Sequence, residues 1–343
     1  MGSEIDLEES VEFDRHENMF LLCDRLGIGK PSEPLHRVTG GLMHRMYKMN
    51  TSKGVFAVKV LNAEVMTRAG VWDNYRLSEK ISRAAFQAGL PSVPALTVDG
   101  EPLLYIDGLH FMVFQWIKGS MLPSTPAKPE HCGIMGRLLA RIHALKLDFS
   151  MVKITSEVAD FNWKSLLNRG REIAAPWAEA DSTLLELHEW TSAYEAAHDA
   201  LNRHLVFSHR DLDQKNVLWM DEVSPALIDW EAAGPINPVQ ELVSTALDWA
   251  GVQAGAVNRD AFMAFINGYL DRGGTVMTEW RAAINGGLIG QLQWLAYNMR
   301  RSLGEALSEP EDQEVGTRES VRTLMSLREI TRNREVWCEW LEG

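Results

Sequence analysis

The rhythm of apolar and polar positions changes at a loop marked by Pro123, Pro126 and Pro129. Before that loop, short apolar runs bounded by Gly, Pro and Asn predict strands and tight turns. Residues 35–39 and 46–49 predict a hairpin closed around Gly40 and Gly41, and residues 55–61 (VFAVKVL) predict a strong strand. Further strand signals fall at 95–98, 103–106 and 111–116. A helix is predicted over 71–88, with Leu77, Ile81, Ala84 and Ala85 on one side and Gly89 ending it. Ahead of all these, Met19, Phe20, Leu21, Leu22 and Leu26 predict a short amphipathic helix that Pro31 and Pro34 break. Beyond the proline loop the period is helical. Residues 131–145 place Ile134, Leu138, Ile142 and Leu145 on one face, and helices are also predicted at about 163–174 and 181–202. Several more follow from residue 238 on, of which 285–304 is the most amphipathic.

Departures from this pattern point to chemistry. Lys59 is a charge within an apolar strand, which is costly without a partner. Glu79 on the 71–88 helix is the first candidate for that partner and Glu64 the second. Gly40 and Gly41 let the backbone approach a ligand with no Cβ in the way. The most informative stretch is 206–231, VFSHRDLDQKNVLWMDEVSPALIDWE, where Asp211, Asn216 and Asp229 lie among short apolar runs. Two carboxylates and a carboxamide on loops and strand ends suit metal-assisted phosphoryl transfer. One carboxylate orients the attacking hydroxyl and takes its proton, and the other two groups hold Mg²⁺ against the phosphates.

Composition narrows the partners. A net charge of −13, from 47 acidic and 34 basic side chains, argues against a nucleic-acid-binding surface. No apolar run reaches membrane-spanning length and no signal-peptide pattern opens the chain, so a cytoplasmic protein with no membrane partner is expected. Cys23, Cys132 and Cys338 lie far apart without metal-ligand spacing, which predicts free, packed thiols.

The 206–231 stretch resembles the kinase catalytic loop H-R-D-x-x-x-x-N, here running from His209-Arg210-Asp211 to Asn216. The Asp that opens the D-F-G triplet corresponds to Asp229 in Asp229-Trp230-Glu231. Residues 227–241, LIDWEAAGPINPVQE, are similar to the segment after the metal Asp in the aminoglycoside phosphotransferase and choline kinase families. Protein kinases are a poorer match. The A-P-E landmark and the long activation segment are missing, and Asp213 stands where protein kinases commonly carry Lys, with a lysine only at Lys215.

This resemblance, over residues 35–300 or so, implies an α+β, protein-kinase-like bilobal fold. A small antiparallel-sheet N-terminal lobe would occupy 1–116 and a large, mainly helical C-terminal lobe 117–343. It also implies ATP or GTP with Mg²⁺, and a small-molecule hydroxyl acceptor such as an aminoglycoside, a sugar or an amino alcohol. Asp211 would be the catalytic base and Asn216 and Asp229 the metal ligands. Lys59, steadied by Glu79, would contact the phosphates beneath the Gly40-Gly41 loop, and Gln115 and Ile117 would bound the hinge that meets the purine. A cationic acceptor would need carboxylates, for which Glu231, Glu241 and Asp248 are candidates. A monomer or homodimer is expected. A choline-kinase-like enzyme, a protein-directed kinase and a non-catalytic nucleotide-binding module stay open as alternatives.

Overall fold

Alternation along the lysine-bearing strand sets the layout of the first part of the molecule. In the computed structural model, residues 16–38, 44–122, 126–148, 161–274, 279–305 and 311–343 are described. The Gly40-Gly41 turn lies outside them. The chain divides into two compact units, Met1–Gly119 with Ala226–Glu231, and Ser120–Pro225 with Ala232–Gly343. The stretch that carries Asp229 therefore belongs to the first unit, not with the rest of the 206–231 block.

In the first unit, α1 (His16–Leu26) precedes a five-stranded sheet. Its strands are β1 (His36–Val38), β2 (Arg45–Thr51), β3 (Gly54–Val60), β4 (Leu104–Ile106) and β5 (Leu109–Gln115), in the order β1-β2-β3-β5-β4. Every neighbouring pair is antiparallel. Phe56, Val58 and Val60 face a core shared with Leu22 of α1, Met49 and Val113. By the two-residue period Lys59 points to the opposite face, flanked across the sheet by Met46 and Met112. That face is closed by Leu61, Val71, Tyr75 and Ala95, with α2 (Ala63–Met66) and α3 (Val71–Gln87). The Asn62 side chain caps α2 by accepting from the N–H groups of Glu64 and Val65.

The strand expected at 95–98 is not formed as a regular strand. The Ala95 N–H donates to the Glu79 carboxylate at 2.7 Å, so only Leu96, through its N–H to the Val113 carbonyl at 2.7 Å, joins the sheet. Glu79 is buried on α3.

The second unit is mainly helical, with short strands β6 (Val206–Ser208), β7 (Val217–Trp219) and β9 (Gly234–Ile236), while β8 (Pro225–Leu227) runs from its residue Pro225 into the first unit's Ala226–Glu231 stretch. Its helices are α4 (Pro129–His143), α5 (Trp163–Glu172), α6 (Thr183–Leu201), α7 (Pro238–Trp249), α8 (Arg259–Asp271), α9 (Trp280–Ser302) and α10 (Asp312–Glu342). Helices α4, α5, α6 and α9 coincide with the expected ones to within about five residues, and α7, α8 and α10 occupy the stretch from residue 238 on where further helices were expected. Helix α9 packs on α6, α7 and α10, burying Leu288, Leu292 and Leu295. Helices α4 and α8 approach closely because Gly136 and Gly268 carry no Cβ; a side chain at either would overlap the other helix's backbone. The three cysteines are free and buried. Among the described residues no helix is long and apolar enough to cross a membrane.

Burial pushes the Glu79 carboxyl up to about 7, with the Ala95 N–H and Arg83 offsetting part of the effect. Between the ordinary carboxylate value and about pH 7 the native state thus binds more protons than the unfolded chain, so stability falls as pH rises through this window. Glu79→Gln keeps an acceptor for the Ala95 N–H and removes the titration. Denaturant unfolding across this range should show the variant losing less stability than the parent, by roughly 2 kcal/mol. Parallel pH profiles for the two proteins would contradict the assignment.

Candidate active site

Strand β6 delivers the chain to His209, Arg210 and Asp211 in the second unit. His209 is fully buried. Arg210 sits at a φ of +64°, a left-handed conformation that a long side chain rarely adopts. What holds it there is Glu241 on α7, whose Oε1 accepts the Arg210 N–H at 2.7 Å. The other carboxylate oxygen lies 2.7 Å from His143 Nε2, and His143 Nδ1 is 2.8 Å from the Tyr269 hydroxyl. Burial alone would raise the Glu241 carboxyl; His143 and the Arg210 N–H outweigh it and hold it below the usual range. Across from Arg210, a Cβ at Gly234 would come within 3.0 Å of the guanidinium. His143 is thus a core histidine bracing the loop.

The loop is fastened at each step. Trp249 Nε1 donates to the Leu212 carbonyl at 2.8 Å, and Asp213 Oδ1 accepts the Lys215 N–H at 2.7 Å. Asn216 Nδ2 donates to both the Asp211 carbonyl and Asp211 Oδ2, each at 2.8 Å. Among the described residues the Asn216 Oδ1 has no hydrogen-bond donor, and that oxygen is the atom a cation would use. The Asp211 side chain is 41% exposed, open enough to meet an incoming hydroxyl. Lys215 Nζ lies 3.2 Å from Asp213 Oδ2 and 3.5 Å from Asp211 Oδ1. Burial disfavours its charge, but Asp211 and Asp213 more than compensate, so the ammonium is held firmly charged. Burial and the neighbouring Asp213 push the Asp248 carboxyl up to about 7.

The first unit gathers a second constellation. Asp229 also has a left-handed φ, +58°, which Asp tolerates better than most residues. Its Oδ1 accepts from Lys59 Nζ at 2.8 Å, and Lys59 also donates to Glu231 Oε1. Glu231 Oε2 lies 3.1 Å from His44 Nε2, and the Tyr75 hydroxyl lies 3.0 Å from the same ring nitrogen. His44 Nδ1 accepts the Asn62 backbone N–H at 3.0 Å. A backbone N–H only donates, so the ring proton is on Nε2, which faces both Glu231 and the Tyr75 hydroxyl. Burial pulls the Lys59 ammonium down; Asp229 and Glu231 reverse this and raise it above its ordinary value.

The expected Lys59–Glu79 pair is therefore corrected. Lys59 donates to Asp229 and Glu231, while Glu79 is engaged by the Ala95 N–H. Glu64 is at an exposed position in α2 and does not replace it. Of the carboxylates considered for a cationic acceptor, Glu231 and Glu241 are already held by His44 and Lys59 and by His143 and Arg210. Gln115 ends β5 with its side chain donating to the Val55 carbonyl at 3.3 Å, and Ile117 follows in irregular backbone. Tyr75 carried no sequence signal beyond its place on a helix face. The pairing of Glu231 with Lys59 was equally hidden, although a buried lysine signals that some carboxylate must be near.

Residues 35–284 match the family model described as the phosphotransferase enzyme family. No curated protein matches the chain. A crystal structure of a spectinomycin phosphotransferase with ADP and spectinomycin is similar at 12% identity and a TM-score of 0.66, over 91% of this chain and 97% of that one. An amicoumacin kinase in complex with AMP-PNP and Ca²⁺ is similar at 12% identity and a TM-score of 0.63, over 93% and 95%. A Plasmodium vivax ethanolamine kinase is similar at 14% identity and a TM-score of 0.56, over 84% and 82%. Such likenesses carry the fold, and the expected kinase-like fold is borne out. With the family model spanning most of its length, the chain belongs to the phosphotransferase enzyme family.

Proposed function

We propose that this phosphotransferase moves the γ-phosphate of ATP, presented with Mg²⁺, to a hydroxyl of a small molecule. The observation that carries the reading is the Asp211–Asn216 couple. Asn216 fixes one oxygen of a partly exposed carboxylate and keeps its own carboxamide oxygen for a cation. Asp211 orients the acceptor hydroxyl and takes its proton.

The donor chemistry fits Mg²⁺. Asn216 Oδ1 and Asp229 Oδ2 are hard oxygen donors, neither of which has a hydrogen-bond donor among the described residues. When bound, the metal would neutralise phosphate charge. Lys59 contacts the phosphates, Gly40 and Gly41 belong to the loop that covers them, and Gln115 and Ile117 flank the purine. Lys215, charged and beside Asp211, adds positive potential where the transferred group passes. Because the transition state is loose, the protein's contribution is mostly positioning and charge neutralisation. ATP as donor is supported by the ADP and AMP-PNP named with two of the similar structures. The acceptor is an antibiotic or an amino-alcohol metabolite, the classes those neighbours are named for. The enzyme acts in the cytoplasm as a monomer or homodimer.

Acceptor-dependent ADP release against spectinomycin, aminoglycosides, sugars, choline, ethanolamine and a generic protein tests the reading. Turnover with one small hydroxyl compound is expected; turnover with the protein alone would overturn the acceptor class. Asp211→Asn should cost about 10²–10⁴-fold in kcat while nucleotide binding survives. Parent-level turnover in that variant would remove Asp211 from the chemistry. Asn216→Ala should raise the Mg²⁺ concentration for half-maximal rate by about 10-fold or more, and an unchanged Mg²⁺ dependence would remove Asn216 from the metal site.

A further inference from the structure

Lys59 needs a carboxylate that stays with it when nucleotide and metal arrive. Asp229 is poorly suited, because its oxygens are wanted by the cation. Glu79 faces Ala95 and accepts that residue's N–H. Glu231 is different. Its two oxygens divide the work, Oε1 on Lys59 and Oε2 on His44, and the Tyr75 hydroxyl packs 3.0 Å from the same His44 nitrogen. His44 immediately precedes β2, so one carboxylate links the start of that strand to the end of β3. His44 is itself fixed by the Asn62 N–H, and Glu231's side chain is only 18% exposed.

We propose that Glu231 is the positioning residue for Lys59, held in turn by His44, which the Tyr75 hydroxyl and the Asn62 N–H fix, and that it performs the task expected of Glu79. The proposal rests on the reading of Lys59 as a phosphate-contacting group. Two residues beyond the metal-binding Asp, a carboxylate of this kind keeps the lysine extended whether or not Asp229 is engaged elsewhere. Asp229 is then free to leave Lys59 for the cation without stranding a buried ammonium, since breaking a buried pair is what costs most.

The test compares Glu231→Gln, Glu231→Asp and Glu79→Gln in the full-length protein. The first readout needs no nucleotide: at one fixed pH, peptide mass mapping follows how fast an amine-directed acylating reagent modifies Lys59, with exposed Lys53 as the internal standard. Glu231→Gln should speed Lys59 modification over the parent and over Glu79→Gln, and Glu231→Asp should fall between. The second readout is kcat and KM for MgATP, where Glu231→Gln should lose about 10²-fold in kcat/KM through misplacement of the lysine, and Glu231→Asp should recover part of it. Thermal unfolding monitors folding, and Glu231→Asp or His44→Gln serves if the Gln variant does not fold. A larger effect of Glu79→Gln than of Glu231→Gln on Lys59 modification overturns the proposal. The expected modification pattern without nucleotide turnover in any protein, the parent included, supports the Glu231 pairing and counts against the proposed function alone.

Discussion

One ammonium inside a sheet sets the terms for the first unit. Lys59 is 7% exposed and lies in a strand whose other inward residues are apolar, so its charge is supportable only with carboxylates against it. The sheet and α3 supply Glu79, but burial pushes its carboxyl up to about 7 and it is turned to Ala95. The charge is met by Asp229 and Glu231, from a stretch far along the chain. This explains why the six residues Ala226–Glu231 belong with the sheet although their sequence neighbours belong to the helical unit. Backbone bonds between Leu227 and both Pro91 and Val93 fasten the same stretch.

In the helical unit a backbone constraint has the equivalent standing. Arg210 is held in a left-handed conformation that costs on the order of 1–3 kcal/mol and persists only when its surroundings over-determine it. Glu241, His143 and Tyr269 do so from three separate helices, and the strain turns the chain so that Asp211 meets Asn216. Both constellations use a carboxylate to hold a neighbour in place, Glu241 the Arg210 backbone and Glu231 the Lys59 ammonium. In each, an Asp remains partly exposed, with side-chain exposures of 41% for Asp211 and 40% for Asp229.

What the sequence disclosed follows the range of the physics involved. The β2–β3 pairing and helices α3, α4 and α9 were legible because periodicity is local and burial enforces it. Asp211 and Asn216 were legible for the same reason: a short loop brings them together through bonds that span five positions. The strand expected at 95–98 failed because a side chain on α3 takes the Ala95 N–H that a ladder would need. Glu79 was the natural choice for Lys59 by helix-face reasoning, yet the partner lies 172 positions away. No spacing rule reaches that far, and nothing in a helix-face pattern marks Tyr75 as a partner of the histidine that holds the same carboxylate. Glu241 was visible as an acid but not as a brace, since its partners come from α4 and the 209–211 loop.

The proposed role of Lys59 at the nucleotide depends on its charge. Calorimetric titration of MgATP into Lys59→Met tests this most directly, with the folded state of the variant checked by thermal unfolding. Removing the ammonium leaves Asp229 and Glu231 facing each other without their cation, and the account predicts that nucleotide affinity falls sharply while the helical unit stays folded. Parent-like affinity for MgATP in the folded variant would contradict it.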